Sequence, residues 1–116
     1  MQNGVYRVLF KGLSSEGRGI LVVKDGYLWG GDSAYVYDGK YTMEGANGRG
    51  GFEIKRDDPN SVSDLPDFTV SVFGNLPELT LYLVFAITPP GFTATGQILG
   101  PGNLRIEAIG TKLADI

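Results

Sequence analysis

The chain predicts an all-β fold, an antiparallel up-and-down β-barrel of about 8–10 short strands spanning residues 1–116 as one domain. Two observations carry this. Eighteen glycines in 116 residues, against a usual share of about 7%, imply many turns, with neither collagen periodicity nor low complexity. Short apolar runs recur at spacings of about 8–12 residues between turn signals, and no stretch has convincing helical periodicity. An uninterrupted meander favours a barrel over a sandwich, because closure removes exposed sheet edges.

The first strand is Val5–Lys11. Tyr6, Val8 and Phe10 point to one side, and Val5, Arg7 and Leu9 to the other. Ser14–Gly17 reads as a polar turn into a second strand, Arg18–Lys24. Asp25-Gly26 supplies a two-residue hairpin turn, and Tyr27–Trp29 returns from it. Gly30-Gly31-Asp32 reads as a break that permits a bulge or a corner. Ala34–Tyr37 and Lys40–Glu44 read as a hairpin about Asp38-Gly39, and Asn47-Gly48 as another hairpin signal leading into Gly51–Arg56. Asp57–Asp67 is the one long connection. Phe68–Phe73 follows, then a turn over Gly74–Glu78. Glu78–Ile87 has Leu79, Leu81, Leu83 and Phe85 on one face, and Tyr82, Val84 and Ala86 make the other face apolar too. Thr88-Pro-Pro-Gly91 stops it. Phe92–Leu99 and Leu104–Ile109 complete the set, and Lys112–Ile116 reads as a tail.

Composition excludes several function classes. Without histidine, the chain lacks the usual general base near neutral pH, the Ser/His/Asp relay and the commonest zinc ligand. Without cysteine, it has no disulfide framework and no thiolate chemistry. A net charge of −3 does not suit nucleic acid. No basic-then-apolar leader opens the sequence, and no apolar run approaches the ~20 residues of a membrane-spanning helix. These features predict a water-soluble, cytoplasmic protein without a cofactor.

Asp57, Asp58, Asp64 and Asp67 fit no calcium loop and read as a solvated connection. The run at 45–51, with Arg49 inside it, has the glycines of an anion nest but not the ending of a phosphate loop, so it reads as a hairpin turn. Glu44 and Glu53 flank that turn and can face each other across strands, without any acid/base partner pattern. Asp32 is a candidate for binding a partner, beside its ordinary use as an acceptor of backbone N–H at a tight corner. Tyr6, Phe10, Tyr27, Trp29, Tyr35, Tyr37, Tyr41, Phe52, Phe68, Phe73, Tyr82 and Phe85 suffice to fill a small barrel. Two readings follow: a filled core, or a cavity for a small apolar ligand surrounded by Tyr6, Val8, Phe10, Leu81 and Leu83. The apolar outer face of Leu79–Ile87 needs cover, and a homodimer interface is the simplest cover.

The order G-V-Y-R-V-L-F (4–10), G-R-G-I-L-V-V-K-D-G (17–26) and G-G-D-S-A-Y-V-Y-D-G (30–39) resembles the GrlR-like family of negative regulators of type III secretion in bacteria. The resemblance is dense over residues 4–39 and thinner beyond. It implies a small lipocalin-like barrel, dimeric, that acts by binding a partner protein such as a transcriptional activator. The family's best-known type carries four alternating acidic residues at the turn after V-Y-x-G, proposed as its partner-binding motif. By position these fall on Met43, Glu44, Gly45 and Ala46, of which Glu44 alone is acidic.

Overall fold

Period-2 alternation along the strands becomes the inside and the outside of a closed wall. The computed structural model describes residues 1–12, 16–56, 78–99 and 105–116. Eight strands stand in sequence order: β1 (Gly4–Lys11), β2 (Glu16–Lys24), β3 (Tyr27–Gly31), β4 (Tyr35–Glu44), β5 (Asn47–Arg56), β6 (Glu78–Thr88), β7 (Gly91–Leu99) and β8 (Arg105–Ala114). Each pairs antiparallel with its neighbour, and β8 returns to pair with β1. The up-and-down barrel expected from the sequence is therefore the fold, with eight strands among the described residues.

The faces of β1 and β6 fall as the alternation predicts. Tyr6, Val8 and Phe10 are buried, as are Leu79, Leu81, Leu83 and Phe85. Outside, charged side chains such as Arg7, Lys24, Lys40, Arg49, Glu53 and Glu107 interrupt the apolar ones. Apolar inside and charge-studded outside is the reverse of a membrane-spanning barrel. Among the described residues, no helix is long and apolar enough to cross a membrane.

The β2–β3 turn is Asp25-Gly26, where both residues have positive φ, 51° and 87°, as a tight hairpin requires. Asn3 braces it: its amide donates to Asp25 Oδ1 (3.1 Å) and its carbonyl oxygen accepts the Asp25 N–H (3.0 Å). Pro89 and Pro90 form the β6–β7 turn.

Five expectations are corrected. Asp38-Gly39 is not a turn: β4 runs through it unbroken, pairing Asp38 with Glu53 and Gly39 with Phe52. The β4–β5 turn is Gly45-Ala46, earlier than Asn47-Gly48, which already belong to β5. Gly30 and Gly31 do not bulge; they pair in register with Leu21 and Ile20 on one side and Tyr37 and Val36 on the other, and the strand breaks after them, at the Asp32 corner. The ladder slips instead at Val5/Tyr6, between β1 and β8. Finally, Thr111–Ala114 continues β8, so the tail is Asp115–Ile116. The second strand also starts earlier, at Glu16. The readings of Asp57–Asp67 and Phe68–Phe73 lie outside the described residues, as does most of Gly74–Glu78.

Several inward glycines make room for large neighbours. A Cβ on Gly48 would stand 2.4 Å from the Phe85 ring, one on Gly110 2.1 Å from the Phe92 ring, and one on Gly96 2.5 Å from Leu83. A small barrel filled by aromatics needs such small residues opposite large ones.

Candidate functional site

The interior is packed with rings. Tyr6 meets Phe92 (5.8 Å between centroids), Phe92 meets Phe85 (6.0 Å), Phe85 meets Tyr41 (6.0 Å), and Phe10 meets Tyr37 edge-on (5.7 Å). The space left among Val8, Phe10, Leu21, Phe52, Leu81 and Leu83 is about 20 Å³. That holds about one water, whereas ligand pockets run to roughly 300–1,000 Å³. Val8, Phe10, Leu81 and Leu83, from the set expected around a ligand cavity, line this space, and Tyr6 belongs to the same buried cluster, packed against Phe92.

Not all aromatics serve the core. Tyr27, Trp29 and Tyr82 stand outside, and Phe68 and Phe73 lie outside the described residues. Phe92, with 3% of its surface exposed, takes a place that the sequence reading had not assigned.

Asp32 is committed to the β3–β4 turn. Its Oδ1 accepts the N–H groups of Ala34 and Tyr35, both at 2.8 Å, and its own N–H donates to the Tyr35 carbonyl at 2.9 Å. Its Oδ2 accepts a hydrogen bond from the buried Tyr37 hydroxyl. Burial first, then this bond and the carboxylate's charge, push the Tyr37 phenol well above the usual tyrosine range. Asp32 thus matches the corner-acceptor use weighed beside partner binding.

Glu44 ends β4 on the exposed side and pairs in register with Asn47. It stands on the opposite end of β4 from Asp32, about 30 Å along the strand, so the two do not form one site. Nor do Glu44 and Glu53 face each other. Glu53 pairs with Asp38, which lies about 20 Å along β4 from Glu44. The 45–51 run is not an open anion nest either, because Asn47–Gly51 is hydrogen-bonded in register to β4 and β6, with Arg49 between Thr42 and Val84.

Among the described residues, no three acids, histidines or cysteines gather as metal ligands do. Asp57, Asp58, Asp64 and Asp67 lie outside them. Arg56 escaped the sequence reading: it is buried at the end of β5, its guanidinium 5.5 Å from the Tyr35 ring centroid. Its inward alternation with Phe52 and Ile54 was the available signal.

The outer wall is where side chains remain uncovered. Val84 is 64% exposed and Tyr82 56%. Across β6, β7, β8 and β1, register aligns Ala86, Thr93, Ile109 and Leu9 in one row, with Val84 in the next. Shallow recesses of about 410 Å³ and 450 Å³ flank Glu107 and Ile109 on this side. On the wall formed by β3–β6, Tyr27 and Trp29 stack at 5.4 Å with 9° between ring planes.

No protein-family model and no curated protein matches the chain.

Proposed function

We propose that the protein is a non-catalytic interaction module of the GrlR-like type, a barrel that works through its outer wall in the cytoplasm. Its partner is another protein, such as a transcriptional activator, and it is a homodimer. One observation carries this reading: among the described residues, the space left between the core side chains is about 20 Å³, while exposed apolar side chains stand outside. A filled interior disfavours the carrier of a small apolar ligand. For the dimer, the face with Val84, Ala86, Ile109 and Leu9 is the candidate, since a two-fold contact would cover the same patch on both copies.

Photo-crosslinking in the native cells tests it, with p-benzoylphenylalanine replacing Val84 in one variant and Trp29 in another. The expected products are an adduct of twice the chain mass from position 84 and a heavier, mixed-protein adduct from position 29. Absence of protein adducts from both positions overturns the reading.

A further inference from the structure

One arrangement on the wall is not explained by the fold. Asp38 on β4 and Glu53 on β5 are direct cross-strand partners, and both face solvent. Like charges directly opposite each other destabilise a sheet. The nearest lysines on the same strands and face are engaged elsewhere. Lys40 holds its ammonium 5.5 Å from the Tyr27 ring centroid, and Lys55 pairs with Glu78 at 3.8 Å. Among the described residues, no cation pairs with Asp38 or Glu53. Among the described residues, Glu53 accepts one hydrogen bond, a long one of 3.4 Å from the Thr80 hydroxyl.

The flanks of this acid pair are aromatic. Trp29 stands beside Asp38 in register, 42% exposed and backed by Tyr27. Gly51 leaves the β5 position next to Glu53 on this face without a side chain. The Tyr82 ring leans over it, 3.6 Å from where a Cβ would stand. Two facing carboxylates about 5 Å apart at their Cβ atoms, between exposed rings and with the neighbouring Lys40 and Lys55 ammoniums turned to Tyr27 and Glu78, complement a flat cation.

We propose that this face takes an arginine presented by the partner protein. Its guanidinium spans Asp38 and Glu53 and lies against Trp29 and Tyr82. Arginine suits the site better than lysine, because its planar fork bridges two acceptors and stacks on rings. The proposal rests on the interaction-module reading and names the chemistry that reading leaves open.

The test is an NMR titration of the full chain with the peptide acetyl-Gly-Arg-Gly-amide and with its neutral citrulline counterpart. The expected result is millimolar binding that shifts the Trp29 indole N–H with arginine and not with citrulline. Asp38→Asn and Glu53→Gln each weaken it about fivefold. Each variant also raises Tm by about 2 °C, because a repulsion is removed. Equal shifts with both peptides, arginine shifts confined to other parts of the wall, or a lower Tm in both variants would overturn the proposal. So would shifts of the same resonances by neutral oligosaccharides in place of arginine. A null arginine titration alongside a persistent mixed adduct from position 29 removes the arginine site and leaves the interaction module standing.

Discussion

Asp32 shows how a residue that looks functional in sequence can be spent on structure. One carboxylate takes two backbone N–H groups and a buried phenol, so it closes the β3–β4 turn and fixes Tyr37 inside the barrel. Asp32→Ala removes the shared acceptor of these hydrogen bonds and should lower stability by about 2–3 kcal/mol in urea unfolding. Tyr37 adds a pH dependence. Its pKa is raised on folding, so the folded state keeps a proton that the unfolded chain releases above pH about 10. The contribution is complete below that pH and is lost as pH rises beyond it, by up to about 1.4 kcal/mol per pH unit. Tyr37→Phe should flatten that alkaline slope by one proton's worth. Tyr6, raised chiefly by its burial, should keep part of the slope in the variant. An unchanged slope would contradict the assignment to Tyr37.

At the scale of the elements, most strands were legible and most errors were glycines. The faces of β1 and β6, the Asp25-Gly26 turn and the Pro89-Pro90 stop all follow from alternation and turn chemistry. Asp38-Gly39 and Asn47-Gly48 carry the same turn chemistry, yet both lie within strands. Glycine is used in two ways that a sequence does not distinguish: to permit positive φ, and to leave out a Cβ. Gly45 is the first kind, with φ of 66° and open space around it. Gly48 is the second, its missing Cβ occupied by the Phe85 ring. Gly45→Asn should therefore change Tm little, while Gly48→Val should lower it by many degrees. Gly30→Val belongs with Gly48, because a Cβ there would stand 1.9 Å from the Ile20 carbonyl oxygen. Gly31→Val is milder, at 2.8 Å from the Tyr35 carbonyl oxygen. Thermal melts of the four variants should rank Gly45→Asn as most stable and Gly31→Val above Gly30→Val. The candidate docking site was less legible, because Asp38 and Glu53 meet only through the register of β4 on β5, which a misplaced turn conceals.

For the molecule as a whole, closure and filling decide where it can act. A closed barrel leaves no free edge among the described strands for a partner to extend, so on the proposed reading a partner is met by side chains on the wall. The rings of Tyr6, Phe10, Phe85 and Phe92 take the space a carrier would give its ligand. The outer wall then divides into an apolar side about Val84 and Ile109 and an aromatic, acidic side about Trp29, Asp38 and Glu53. On this account, Val84→Glu with Ile109→Glu should convert the dimer to a monomer in sedimentation velocity and leave the arginine titration unchanged. Joint loss of both would mean that the two sides are not independent.

On the proposed reading, the barrel holds no ligand and acts from its outer wall. Native mass spectrometry of the protein isolated from its own cells tests this most directly. The account predicts a species of twice the 12.5 kDa chain mass with no added small molecule. A reproducible adduct of a few hundred daltons, retained on every chain, would contradict it.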